Sequence, residues 1–248
     1  MFNSIYLGFK FAFSYFSILP VSFKESDDLS QKEVLNVMLL SLPLVGLTLG
    51  VGAVAIFSLL DHLGWYGAII TAILYMVLYG FLHTEAIMDV ADGIYANHGG
   101  KDAYRVAKEP TVGAMGVLFG VGALLLKVSG IVVLLTHHLL FEFLSVLIIS
   151  RLSLLPLIVL HEFKSSFLTQ LKDSLDLWWV MMLFILVAIG GSFFMGSFVV
   201  ILILGVILSY LISIWLSARL GFTNGDVLGA TLEGVEILLF FLIALLMV

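Results

Sequence analysis

Apolar runs of about 20 residues recur along this chain, and each is long enough to cross a hydrocarbon core of about 30 Å as a helix. The runs are continuous rather than alternating, which argues against a β-barrel. Hydrophobic residues make up 62% of the 248 and charged residues 11%; soluble domains average about 45–50% and 25%. No hydrophilic block is long enough to fold by itself, so residues 1–248 are expected to form one membrane domain. The expected fold is an all-α polytopic membrane protein, with about seven transmembrane helices after an N-terminal interfacial or re-entrant helix.

That first helix covers Phe2–Leu19, aromatic-rich and carrying Lys10, and Pro20 should end it. A polar loop follows over Val21–Glu33. Spans are expected at about 35–60, 64–83, 113–135, 139–160, 177–195, 197–217 and 233–248. Glycines 190, 191 and 196 suggest that the 177–217 pair closes as a tight hairpin. With these spans, Lys24, Lys32, Lys101, Arg105, Lys108, Lys164, Lys172 and Arg219 fall on one side, and the opposite loops receive no Lys or Arg. Basic loops stay in the cytoplasm, which orients the chain. Met1–Pro20 lacks the basic start and small-residue cleavage site of a signal peptide. The absence of cysteine excludes disulfides, thiolate metal sites and cysteine nucleophiles. A net charge of −6 gives no support for nucleic-acid binding.

Glu85, Asp89 and Asp92 follow an apolar run at spacings of four and three, so they share one helical face. Two such anions about 6 Å apart repel by roughly 3 kcal/mol at an effective dielectric near 20. A divalent cation is the natural counter-charge. Hard oxygen donors without thiolate favour Mg²⁺, or Mn²⁺, over zinc, and Mg²⁺ is commonly shared with a substrate phosphate. A solvated helix end is the competing reading, disfavoured by the apolar neighbours Ile87, Met88 and Val90.

A second acidic stretch enters the last span, with Asp226, Glu233 and Glu236 after the Asn224-Gly225 turn. Asp226 reads as an N-cap for the helix that follows. Gly225 and Gly229 let a ligand or helix approach closely, and Glu233 and Glu236 run to depths where unpaired acids are costly. Between the clusters, Lys101, Arg105 and Lys108 form a basic stripe that suits either pyrophosphate or anionic lipid. Gly113 and Gly116 open the next helix, either as packing glycines or as part of a phosphate-accepting N-terminus. Arg151 lies at membrane depth, fit for a structural ion pair or for bidentate contact with a substrate phosphate. Lys127 reads as a snorkelling side chain. His83 suits proton transfer or a hydrogen-bonded structural place equally.

The stretch His83-Thr-Glu-Ala-Ile-Met-Asp-Val-Ala-Asp-Gly93 resembles the His-x-Asp-Gly-x-x-Asp-x-x-Asp-Gly signature of the adenosylcobinamide-GDP ribazoletransferase (cobalamin-5′-phosphate synthase) family. The resemblance runs nearly the whole length. It takes in Phe16 to Pro20, Leu42-Pro-Leu-Val-Gly46, Lys127, Ser150-Arg151 and Gly225 to Ala230, with Glu233 and Glu236 in register. Departures are Glu85 for an aspartate, Thr111 where the family has arginine, Asn224 for a threonine, and a poor match over Phe163 to Leu175.

The resemblance implies an Mg²⁺-dependent transferase at the bacterial inner membrane, its site facing the cytoplasm. It would join adenosylcobinamide-GDP to α-ribazole, or its 5′-phosphate, and release GMP. The ribazole hydroxyl would attack the phosphorus bound to cobinamide, with metal held by Glu85, Asp89, Asp92 and Asp226. Asp92 or Asp226 would serve as general base, with His83 as a further catalytic candidate. Lys101, Arg105, Lys108, Arg151, Gly225, Glu233 and Glu236 are the expected substrate contacts. A homo-oligomer stays open. A CDP-alcohol phosphotransferase is disfavoured because Asp92-Gly93 is followed by Ile-Tyr-Ala-Asn without its arginine. A cation-coupled transporter is disfavoured because no duplication is visible.

Overall fold

The computed structural model describes residues 2–100, 102–106 and 111–247, so Lys101 and Lys108 lie outside the described residues. The helices are α1 (Phe2–Phe16), α2 (Lys32–Leu40), α3 (Leu42–Leu60), α4 (Trp65–Leu78), α5 (Leu82–His98), α6 (Ala103–Val106) and α7 (Ala114–Thr136). They continue as α8 (Leu140–Leu152), α9 (Leu154–Leu160), α10 (Ser166–Ser174), α11 (Leu177–Phe194), α12 (Phe198–Leu220) and α13 (Gly225–Met247). No strand occurs among the described residues. Six helical segments are long and apolar enough to cross a bilayer: Leu42–Leu63, Ala114–Thr136, Leu140–Leu160, Leu177–Phe194, Phe198–Leu220 and Gly225–Met247. Counting the bent α4–α5 pair gives seven. The chain is a multi-pass membrane protein.

Several boundaries differ from expectation, each for a local reason. α1 ends at Phe16 rather than at Pro20, where the Ser17 hydroxyl turns back to the Phe13 carbonyl. The expected 35–60 span divides at Ser41 into α2 and α3, with Pro43 in the first turn of α3. The 139–160 span divides at Ser153, because the Pro156 ring has no N–H to give and crowds the carbonyl four residues earlier. The last span begins at Gly225 rather than 233, so Glu233 and Glu236 lie two to three turns inside it. The amphipathic helix α10, unforeseen, packs against α2.

The sharpest departure is at the end of α4. Gly80 N–H donates to the Val77 carbonyl at 2.8 Å and Phe81 N–H to the Met76 carbonyl at 3.1 Å, a Schellman closure. Gly80 (φ 64°) and Phe81 (φ 55°) are both left-handed, and the non-glycine residue costs about 1–2 kcal/mol there. The chain turns by 79° into α5, which runs across the end of the bundle instead of continuing through it.

Burial ranks the helices. Of the Leu140–Leu160 span 72% is buried within the protein, against 6% for Leu177–Phe194, so α8–α9 is the axis and α11 the lipid-facing flank. α3 lies directly on α8: a Cβ at Gly46 would collide with the Leu147 carbonyl. α5 is held between α7 and α13, which brings its acids to the first turns of both.

Candidate active site

The α5 acids differ in surroundings despite sharing a face. Glu85 is exposed, whereas Asp89 and Asp92 are half-buried. Asp92 Oδ2 accepts the Gly113 N–H at 2.6 Å and its Oδ1 the Gly116 N–H at 2.7 Å. The carboxylate thus occupies the helix N-terminus that the sequence left open to a phosphate, a favourable place for an anion. A Cβ at Gly113 would stand 2.6 Å from the Asp92 carboxylate, and one at Gly116 would collide with it, so these glycines are the room the acid needs.

Asp89 faces α13. Partial burial, then the negative charges of Asp226, Glu85 and Asp92, raise its carboxyl pKa. Asp226 Oδ2 accepts the Asn224 amide at 2.6 Å, and Asn224 Oδ1 accepts the Val227 N–H at 3.1 Å. Asn224, not Asp226, is therefore the N-cap of α13, and Asp226 is turned toward α5. Among the described residues no three carboxylates or imidazoles converge tightly enough to hold an ion by themselves. Hard oxygens from two facing helices instead fit a Mg²⁺ held by one or two carboxylates and completed by phosphate.

A cavity of about 140 Å³ opens beside Asp226, with His83, Gly225 and Gly229 in its wall. α5 and α13 nearly touch there: a Cβ at Gly229 would lie 2.8 Å from that of Ala86 and 3.6 Å from His83 Nδ1. Apart from its chain neighbours and its own helix backbone, no described atom lies within 4 Å of a Cβ built on Gly225.

Deeper in the bundle the remaining expected contacts are bound to one another. Lys127 Nζ lies 2.6 Å from Glu233 and 2.8 Å from Glu236, and Arg151 lies 2.6 Å from Glu236. All four side chains are at most 3% exposed. Lys127 therefore does not snorkel; it is the centre of the network. Tyr79 and Thr84 hydroxyls bond Glu233, while Tyr75 and Ser150 serve Glu236. Two cations balance two carboxylates, and side chains from α4, α5, α7, α8 and α13, with Tyr79 at the α4–α5 turn, are tied together. Sequence reasoning missed the tyrosines and Thr84, though Tyr75 and Tyr79 one helical turn apart in an apolar run were a usable signal. Arg105 is exposed on the four-residue α6.

The family profile described as cobalamin-5-phosphate synthase matches residues 8–245. The chain belongs to the cobalamin-5-phosphate synthase family. It is similar to the adenosylcobinamide-GDP ribazoletransferase of Clostridium perfringens (strain SM101 / Type A), 29% identical over 93% of this chain and 94% of that protein. Identity is also 29% with the protein of the same name from Brevibacillus brevis, over 92% and 94% of the two chains. With that of Desulforamulus reducens it is 27%, over 99% and 97%. No solved structure gives a significant match.

The chain's departures from the cobalamin-5-phosphate synthase pattern fall at legible places. Glu85 is exposed, which gives its extra methylene room. Asn224 caps α13, a task threonine also performs. Thr111 is exposed just ahead of α7. In the poorly matched stretch, Lys164 N–H bonds the Thr223 carbonyl at 3.1 Å and its ammonium sits 4.0 Å over the Tyr104 ring. A cation absent from the expected set thus stands beside α6 and the turn into α13.

Proposed function

We propose that the protein joins adenosylcobinamide-GDP to α-ribazole, or its 5′-phosphate, and releases GMP at the cytoplasmic face of the bacterial inner membrane. The observation that carries this reading is the packing of α5 on α13, which brings Asp89 and Asp226 within electrostatic reach of each other at the end of the bundle that collects the basic loops. Two acids that repel each other beside lipid need a cation, and a pyrophosphate brings one.

Asp89 and Asp226, with Glu85 within the same face, would hold Mg²⁺. When bound, the ion would neutralise pyrophosphate charge and stabilise the departing phosphate oxygen. The ribazole hydroxyl oxygen forms a bond to the phosphorus attached to cobinamide while that phosphorus parts from the GMP oxygen. Of the two candidate bases we assign Asp226 to take the hydroxyl proton, since both oxygens of Asp92 are committed to α7. Asp92 sets the position of α5, and the buried network fixes α13 against it. Arg151, Glu233 and Glu236 then act as that scaffold, with Gly225 and Arg105 left for the substrate.

The buried charges saturate one another, which leaves a transporter no unpaired intramembrane acid among them. The test is GMP release by purified protein given both substrates, with and without Mg²⁺. Release that requires both substrates supports the reading; its absence under all conditions refutes it.

A further inference from the structure

The cavity beside Asp226 has an imidazole, His83, in its wall. His83 is 3% exposed and lines the cavity wall, and its ring forms no hydrogen bond with any described residue. It is held by stacking alone, 5.4 Å from the Tyr79 ring at 26° and 6.3 Å from the Phe16 ring at 28°. Its Nδ1 faces Gly229, where a missing side chain keeps the space open. The ring lines the cavity, where a bound acceptor or donor can reach it.

Apart from His83, Asp226 and Tyr15 the wall is apolar. Leu39, Leu42 and Ile158 close the sides, and Phe16 and Phe167 supply ring faces. A cavity of about 150 Å³ takes one benzene ring, so an opening of about 140 Å³ admits a flat ring system by its apolar edge. Guanine fits less well: it carries donors and acceptors on most of its edge, and apart from His83, Asp226 and Tyr15 the wall offers them only apolar side chains. A benzimidazole has an apolar benzo edge and one ring-nitrogen acceptor, and His83 provides one matching N–H donor.

We propose that this cavity seats the aromatic base of the ribazole substrate, with His83 donating to its ring nitrogen and Phe16 bounding its face. This deepens the transferase reading and rests on it. It places the ribose hydroxyl on the Asp226 side of the pocket, because Asp226 lines the wall and is the group assigned to take the hydroxyl proton.

The experiment compares wild type with His83→Phe, which keeps ring stacking and removes the donor, and Leu171→Trp, which fills the cavity from the peripheral α10. The Michaelis constant of each substrate is measured, and α-ribazole binding is followed by calorimetry without the second substrate. Both variants should raise the KM for α-ribazole and weaken its binding at least tenfold, with the KM for adenosylcobinamide-GDP within twofold of wild type. Free 5,6-dimethylbenzimidazole should compete with α-ribazole, and guanine should not. Unchanged ribazole binding in both variants, or a shift confined to the GDP-bearing substrate, overturns the assignment. Should Leu171→Trp not insert, His83→Phe and the competition decide. Failure of the transferase reading looks different, since wild type then releases no GMP while calorimetry still reports ribazole binding or its absence.

Discussion

Asp92 Oδ1 accepts the Gly116 backbone N–H at 2.7 Å, and this bond, paired with the one from Gly113, fastens the acid helix to the first turn of α7. In sequence Asp92 was one of three like acids; in the structure both its oxygens are bonded to α7. Substituting Gly116→Ala puts a methyl group into that carboxylate and into the Met88 carbonyl, so α5 must move. Turnover should fall about 100-fold, the usual result of a displacement near 1 Å at a reacting centre, while membrane insertion is kept. Kinetics of the detergent-purified variant check this, and activity within twofold of wild type would refute the clamp.

Asp92→Asn tests the same contact from the other side. An amide can satisfy one of the two N–H groups but turns a donor toward the other, costing about 1–3 kcal/mol. The midpoint of thermal unfolding should drop, and the variant should keep partial activity. Asp89→Asn, by contrast, should leave the unfolding midpoint unchanged and lower turnover more than about 100-fold. Equal behaviour of the two variants would contradict the division of roles.

The buried network makes a stability claim. Glu236→Gln leaves buried Arg151 without its carboxylate and Lys127 with Glu233 alone, a loss of about 3–5 kcal/mol. Lys127→Met with Glu233→Leu removes one cation and one anion together and leaves the Arg151–Glu236 pair intact. The double variant should be less destabilised than the sum of its single variants, by about 1–3 kcal/mol. Denaturation of the four proteins checks it. Strict additivity, or a Glu236→Gln effect confined to substrate KM, would place these residues in the binding site instead.

Divalent metal should be required. Chelation should stop GMP release, and Mg²⁺ or Mn²⁺ should restore it. Asp226→Asn should need a higher Mg²⁺ concentration for half-maximal rate. Full activity in excess chelator would exclude the proposed metal.

The fold class, the spans and the acid face of α5 were legible because each rests on local pattern: run length, basic-loop bias and three- or four-residue spacing. The bend after α4 was not, since an apolar run through Tyr79 and Leu82 hides a Schellman closure that only Gly80 hinted at. Asp226 passed for a cap because a short polar side chain near a helix start fits either role; the position of α13 gave the role to Asn224. The fates of Lys127, Arg151, Glu233 and Glu236 depended on which helices face each other, and spacing along one helix cannot report that. His83 shows the same limit: its adjacency to the acids was visible, but its place in a cavity that α5 shares with α1, α2, α3, α9, α10 and α13 was not.

The most direct measurement of the central claim is GMP release from adenosylcobinamide-GDP and α-ribazole during Mg²⁺ titration, run in parallel for wild type, Asp89→Asn and Asp226→Asn. If carboxylates of α5 and α13 act on one shared centre, wild type releases GMP only with Mg²⁺ and both variants fall by more than about 100-fold. Near-normal, Mg²⁺-dependent release by either variant would contradict it.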